Sequence, residues 1–550
     1  MKNRKSKVSL KKSETPIDPL EGPKLALAGQ IVTMDSTRRI LKKGTVYIEK
    51  GGVAALRSEG EPSPPGFEAV PVVDTQGTIF PGLIELHNHL SYDILQLWNV
   101  PKKYGNRGQW AGIPEYQQLI SGPMKLIGTI PGLMPAVVRF VECKCLLSGV
   151  TTSQGIELYS NKGARRFYRG IVRNVEQTDD PGLPEAATRI PDVEANDAEK
   201  FLARLGQKKC FLLHLAEGLD TTARSHFLSL EFKPGEWAVA ESLAGIHCTA
   251  LEKSDYNILK DKGASMVWSP FSNLLLYGGT AEVIAAKEAG IRIGMGSDWS
   301  PSGSKNLLGE LKVAHLFSRE NGGIFSDEDI VALVTTNAAA ILQWQDRLGS
   351  IEAGKRADFL VIEGTPPDPC GALIRAAEHS IQLVMINGVA RYGTPEIMNQ
   401  LGASGEKLTV GGKKKILYLV QKTADPDVAP ISLKQAKVKL RKALKDLPNL
   451  KPPAVVPAKR TGVEPPLQWF LALDELAPTG MDVRPHLPMG GRPTMSDARG
   501  PLVLSKAAVK LKPLQLDAMT VADDAEFLTR VAEAKNLPDY IKQGLPLLYA

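Results

Sequence analysis

Between Lys24 and Phe80 the chain runs in short apolar stretches, LALAGQIVTM, GTVYIEKGGVAAL and FEAVPVVDTQGTIF, rich in Val, Ile and Thr and broken by Gly and Pro. That pattern predicts a small β-rich unit. From residue 81 to about 345 short apolar runs alternate with stretches of helical spacing such as DAEKFLARLGQ and GTAEVIAAKEAG. The strand candidates are IELHNH, VTTSQGI, GIVRNVEQ, CFLLHLAE, AGIHCTAL, ASMVWSPFSN and IRIGMGSDW, with a weaker eighth near EAATRIPDV. Eight strand–helix units in this length predict an α/β fold of the (β/α)8 TIM-barrel type, for which about 250 residues is typical. A doubly wound sheet is the alternative. Strands return after residue 346, in RLGSIEAGKRADFLVIEG and SIQLVMINGVARYG. Segments 24–80 and 346–395 are each too short to bury a core alone, so they are expected to join into one composite β-sandwich domain beside the barrel at 81–345.

Beyond about residue 405 the proline clusters LKPPAVVPAKR, GVEPPLQ and GGRPTM break the chain into short pieces. A helix is predicted at SLKQAKVKLRKALKDL, where Leu433, Ala436, Leu440, Ala443 and Leu447 recur at helical spacing among lysines, and another at ADDAEFLTRVAEAKN. Residues 406–550 are therefore expected to form a Pro-rich basic extension with short helices and no part in chemistry. Residues 1–23, basic and followed by no apolar segment, read as a disordered tail.

Charge sharpens this division. The net charge is +7, but residues 1–12 carry six Lys or Arg and residues 411–460 carry a net +10, which leaves the main body about nine charges negative. That argues against nucleic-acid binding by the main body. No apolar run approaches the roughly 18–20 residues of a membrane span. Five scattered cysteines fit a reducing cytosol, and the CKC at Cys143 and Cys145 has no second pair to complete a zinc knuckle.

Only 8 histidines occur in 550 residues, yet two stand one position apart in PGLIELHNHL. On a strand His87 and His89 would face the same way, with Asn88 opposite. A metal site and a solvated strand end both fit these residues taken alone. Further along, HLAE offers His214 and Glu217, GIHCT offers His247, and GSDW offers Asp298, each at the end of a strand candidate. Functional groups gather at the carboxyl-terminal ends of barrel strands, so these six would converge.

In this order PGLIELHNH, HLAE, GIHC, SPFSN and GSDW resemble the amidohydrolase superfamily, and TTNAAAIL with GSIEAGKRADFLVI resembles its closing helix and returning β-strand. The resemblance covers about residues 24 to 395. HLAE is similar to the HxxE of the one-metal branch that includes cytosine deaminase, guanine deaminase and triazine hydrolases. The resemblance implies one divalent ion, Zn2+ or Fe2+, held by His87, His89, His214 and Asp298. It implies Glu217 as proton shuttle, His247 as the group steadying the attacking oxygen, and Asp298 as a second proton acceptor. Lys144, in a predicted helix, is not expected to bridge two metals.

The stretch SYDILQLWNVPKKYGNRGQWAGIPEYQQ after the first strand is rich in aromatic residues. Tyr92, Trp98, Tyr104, Arg107 and Trp110 are candidates for a wall against a small-molecule substrate, and Asn273 and Trp299 are weaker ones. The expected activity is hydrolysis of a carbon–nitrogen bond in a small cyclic amide or amino-substituted heterocycle. The rival readings are a non-catalytic scaffold, and an extension whose lysine-rich helix binds nucleic acid or a membrane surface. That helix would otherwise dock on the barrel or on a second copy of the chain.

Overall fold

The structure is a computed structural model that describes residues 22–451, 466–473 and 510–549. Residues 1–21 of the tail expected over 1–23, and much of the proline-rich stretch, therefore lie outside the described residues. Eight parallel strands form the barrel: Leu83–Glu85, Val150–Ser153, Arg173–Asn174, Ala187–Arg189, Phe211–Leu215, Leu243–His247, Ser265–Trp268 and Arg292–Met295. They pair as a run of three and a run of five. The runs meet where the amide of Ala186 donates to the Val175 carbonyl at 2.8 Å, and where Asn88 bridges Asp298 in parallel. Buried Ile84, Leu212, Ala244, Ile246 and Val267 cluster with Ala338, Ala339 and Trp344, so the lumen on the amino-terminal side of His214 is packed.

Two of the expected strand–helix units lack their helix. A hairpin, Glu157–Ser160 with Arg165–Phe167, follows the second strand, and irregular chain joins the third to the fourth. Pro181, Gly182 and Pro184 account for the latter, since proline cannot continue a helix ladder.

Strands from both flanks hydrogen-bond into one nine-stranded sheet, joined where Phe359–Glu363 runs antiparallel to Val72–Pro81 with Phe359 opposite Pro81. Leu27, Ile31, Val46, Ile79, Phe359, Val361 and Leu383 bury one face. The sheet continues past the boundary expected at 395, through Lys413–Leu417 to Glu406–Val410.

The described parts of the extension pack against the rest of the chain. Leu433–Lys445 buries Leu433, Ala436, Leu440 and Ala443 and packs on Met134–Leu147. Trp469–Leu471 pairs with Glu157–Ser160. Asp539–Tyr549 packs on Leu307–Glu320, and the amide of Asp517 donates to the Ile94 carbonyl at 3.0 Å. In these described helices apolar positions at helical spacing bury against the barrel. Among the described residues no helix is long and apolar enough to cross a membrane.

Candidate metal centre and active site

Four donor atoms meet at the carboxyl-terminal end of the barrel. Nε2 of His87 lies 3.1 Å from Nε2 of His214, which lies 3.3 Å from Nε2 of His89. Oδ1 of Asp298 is 3.4 Å from Nε2 of both His87 and His89. Ligands about 2.0–2.1 Å from a tetrahedral zinc ion stand roughly 3.3–3.4 Å apart. Four of the six separations in this set match that spacing, and His87, His89 and Asp298 lie close enough together to hold one divalent ion, as do His87, His214 and His247.

The protonation states fit as well. Burial, helped by His87, His89 and His247, pushes His214 well below the usual histidine range, so its imidazole is neutral. Its Nδ1 lies 3.3 Å from the Arg189 carbonyl, an acceptor only, which puts the proton there and leaves Nε2 its lone pair. Nδ1 of His87 meets the Ser269 hydroxyl at 2.8 Å. Burial also pushes Asp298 well above the usual carboxylate range, so its ionised form calls for a cation at the convergence point.

Glu217 stands beside these donors, not among them. Its Oε1 accepts from the Tyr277 hydroxyl at 2.7 Å, and its Oε2 is 3.5 Å from Nη1 of Arg107 and 3.7 Å from Nε2 of His247. Burial alone would raise its pKa, but His247, Arg107 and the Tyr277 hydroxyl outweigh burial and hold it below the ordinary glutamate value. Burial and Glu217 keep Tyr277 a neutral donor.

The tautomer of His247 follows from a directed chain of hydrogen bonds. The indole of Trp268 can only donate, and it does so to the Thr280 hydroxyl at 2.7 Å. That hydroxyl donates onward to Oδ1 of Asn273 at 3.3 Å, which turns the Asn273 amide nitrogen to Nδ1 of His247 at 2.9 Å. Nδ1 is therefore the acceptor and Nε2 carries the proton, on the side facing Glu217. Burial lowers the His247 pKa to about 4, so the ring stays neutral.

One short segment holds most of the site. The helix Pro270–Tyr277 and its N-cap Ser269 supply Ser269 to His87, Ser272 to Asp298 at 2.6 Å, Asn273 to His247 and Tyr277 to Glu217. Positions 269, 272, 273 and 277 share one helical face. Ser272 and Tyr277 escaped the sequence reading, although polar residues at that spacing in SPFSNLLLY were a signal for them. The helix amino terminus is closed by Glu310, whose Oε1 accepts from the Phe271 amide at 2.9 Å.

His247 and Asp298 both adopt left-handed backbone, with φ of 67° and 65°. Such conformations cost about 1–3 kcal/mol each and cluster at functional sites. Register sets His214 beside Ile246, so strict alternation would turn His247 to the opposite face. Leaving β geometry at His247 and at Cys248 (φ 52°) brings that ring to Glu217.

The expected aromatic wall is assembled and buried. Trp299 lies 5.6 Å from the His89 ring, 5.2 Å from Tyr92 and 6.1 Å from Trp110. Tyr116, not singled out from the sequence, links Trp110 at 5.1 Å to Trp98 at 5.9 Å, and Trp98 stacks on Tyr104 at 6.4 Å. The Tyr104 hydroxyl is buried with no hydrogen-bond partner among the described residues. Two candidates face protein groups instead of forming wall. Arg107 binds Asp192 at 2.7 Å and the Ile190 carbonyl at 3.0 Å besides approaching Glu217, and the Asn273 amide is committed to His247 and Thr280.

Comparison with known proteins places these residues in context. The amidohydrolase family model matches residues 213–391. The chain is 28% identical over 425 residues to a 5-methylthioadenosine/S-adenosylhomocysteine deaminase of Desulforudis audaxviator, covering 69% of this chain and 94% of that one. It is 24% identical to a 5'-deoxyadenosine deaminase of Methanosarcina mazei, over 73% of this chain and 98% of that one. Among solved structures, the zinc complex of atrazine chlorohydrolase from Arthrobacter aurescens superposes with a TM-score of 0.52 at 18% identity, over 69% of this chain and 99% of that one. A zinc-bound adenosine deaminase from Xanthomonas campestris gives a TM-score of 0.52 at 16% identity, over 76% and 98%. These likenesses establish the barrel fold.

Proposed function

We propose that this chain, which the amidohydrolase family model matches over residues 213–391, is a metal-dependent deaminase of a small amino-substituted heterocycle. The observation that carries this reading is the spacing of His87, His89, His214 and Asp298, with Glu217 held separately by Tyr277. One divalent ion per chain is proposed, Zn2+ before Fe2+. Three neutral imidazoles and a carboxylate suit either ion, and zinc is named in the two solved structures.

When bound, the ion acts as a Lewis acid that lowers the pKa of a neighbouring water towards about 7. The chain's residues do the rest. Glu217, ionised, takes a proton from the attacking water and passes it to the ring nitrogen of the substrate. His247 donates its Nε2–H to the attacking oxygen as that oxygen bonds to the ring carbon. Asp298, fixed through Oδ2 by Ser272, receives the remaining proton and delivers it to the amino group. The carbon–nitrogen bond then breaks and ammonia leaves.

The relatives' names put aminopurine nucleosides first among heterocycles to test, and aminotriazines second. Trp299 beside His89, with Tyr92 and Trp110 tilted against it at 67° and 46°, offers apolar ring surface for such a base. A reducing cytosol is the proposed setting, supported by five unpaired, buried cysteines. The test is ammonia release by zinc-loaded protein from a panel of 5'-substituted adenosines, guanine, cytosine and aminotriazines. Protein carrying about one zinc that releases ammonia from none of them would sink the proposal.

A further inference from the structure

We propose that the carboxyl-terminal segment is part of the working site, and that Asp517 is a positioning residue for the loop bearing Asp298 and Trp299. Asp517 is buried and holds two buried ammonium groups, Nζ of Lys144 on Oδ2 and Nζ of Lys305 on Oδ1, both at 2.6 Å. Lys144 donates onward to the Ser300 hydroxyl at 2.6 Å and to the Asp93 carbonyl at 3.0 Å. The Ser300 amide in turn donates to Oδ1 of Asp93 at 2.7 Å. Ser300 follows Trp299 and lies two residues beyond Asp298, and Asp93 follows Tyr92. One carboxylate from the extension thus ties together the loops after the first and last barrel strands.

The charges explain why a carboxylate is needed there. Lys144 and Lys305 are both almost fully buried, and an unpaired ammonium in such a place is strongly disfavoured. Lys305 has a second ion-pair partner, Asp524 at 2.8 Å, whereas Lys144 makes its ion pair with Asp517 and feels the Asp93 carboxylate only as a more distant charge. Without Asp517, Lys144 is driven to find another anion or to move, and Ser300 loses the group that fixes its hydroxyl. The loop carrying Asp298 is then held by fewer bonds. Outer partners of metal ligands typically contribute about 10–100-fold to metal affinity.

The zinc arm of the test rests on the metal reading above; the loop arm does not. Asp517→Asn leaves two ammonium groups facing Asp93 and Asp524, and should fold. Lys144→Met, which cuts the link from the other end, carries the test if it does not. Both variants should exchange the backbone amides of residues 298–302 about tenfold faster in deuterium-exchange mass spectrometry, and hold zinc about tenfold more weakly in competition with a chelator. Asp524→Asn removes a carboxylate from Lys305 but not from Lys144, and its remaining amide oxygen can still accept from the Glu526 and Phe527 amides, so it should leave both readouts at wild type. Wild-type exchange and zinc affinity in folded Asp517→Asn, or equal loosening in Asp524→Asn, would overturn the proposal. If the wild-type chain takes up no zinc while Asp517→Asn still loosens 298–302, the metal reading falls and the positioning role stands.

Discussion

Glu217→Gln separates proton transfer from metal binding. In the native site Oε1 accepts from Tyr277, and Oε2 faces Arg107 at 3.5 Å and His247 at 3.7 Å. Glutamine has one acceptor oxygen, so if Tyr277 keeps its bond, the Arg107 and His247 donors face an NH2 group that also donates. That mismatch costs about 1–3 kcal/mol of stability, a loss the fold should tolerate. The ligand edges do not involve Glu217, so the metal should stay. Turnover should fall by about 10²–10⁴, the usual worth of acid–base help, or about 2.7–5.4 kcal/mol in the barrier at 1.36 kcal/mol per decade. The assay is zinc per chain by elemental analysis beside single-turnover ammonia release, both well below the melting temperature. A variant stripped of zinc as fully as His87→Ala, or one retaining more than about a tenth of wild-type turnover, would refute the division between ligand and shuttle.

Three further outcomes follow from the same geometry. His87→Ala or His89→Ala should lose the ion and all hydrolysis, and the melting temperature should no longer respond to added zinc, whereas binding at a thousandfold over Kd stabilises wild type by about 4 kcal/mol. Asn273→Asp replaces a donor on Nδ1 of His247 with an acceptor, moving the proton from Nε2 to Nδ1. Turnover should drop about 10²–10⁴-fold with zinc retained, and nitrogen NMR should report the exchanged tautomer; an unchanged tautomer contradicts the hydrogen-bond chain. Glu310→Gln tests pH dependence. Burial raises the Glu310 pKa from 4.5 to about 7, so its contribution is complete below pH 4.5 and is lost as pH rises through 7. Glutamine should match wild type near pH 4.5 and become more stable than it by up to about 3 kcal/mol near pH 8; a pH-independent difference in denaturation midpoint would contradict this.

Local signals made much of this protein legible from its sequence. Runs such as FLLHL and RIGM are short, apolar and bounded by breakers, and each of the eight strand candidates overlaps a barrel strand. The histidine pair in HNH depends only on the alternation of side chains, and both Nε2 atoms face Asp298. The amphipathic spacing of Leu433, Ala436, Leu440 and Ala443 located the helix Leu433–Lys445.

Other features needed the folded chain, because they depend on contacts between separate elements. Alternation would have turned His247 away from His214; a left-handed backbone at the strand end brings it in. Asn273 read as a substrate contact, and only the packing of Trp268 and Thr280 shows that its amide orients His247. Lys144 was correctly placed on a helix, yet its partners, Ser300 and Asp517, lie 156 and 373 residues further along the chain. Prolines in the extension predict breaks, but a break says where a helix stops and not what the next piece packs against. Periodicity records which face of an element is apolar. Which buried charge meets which is decided when tertiary packing excludes water and each must find a partner.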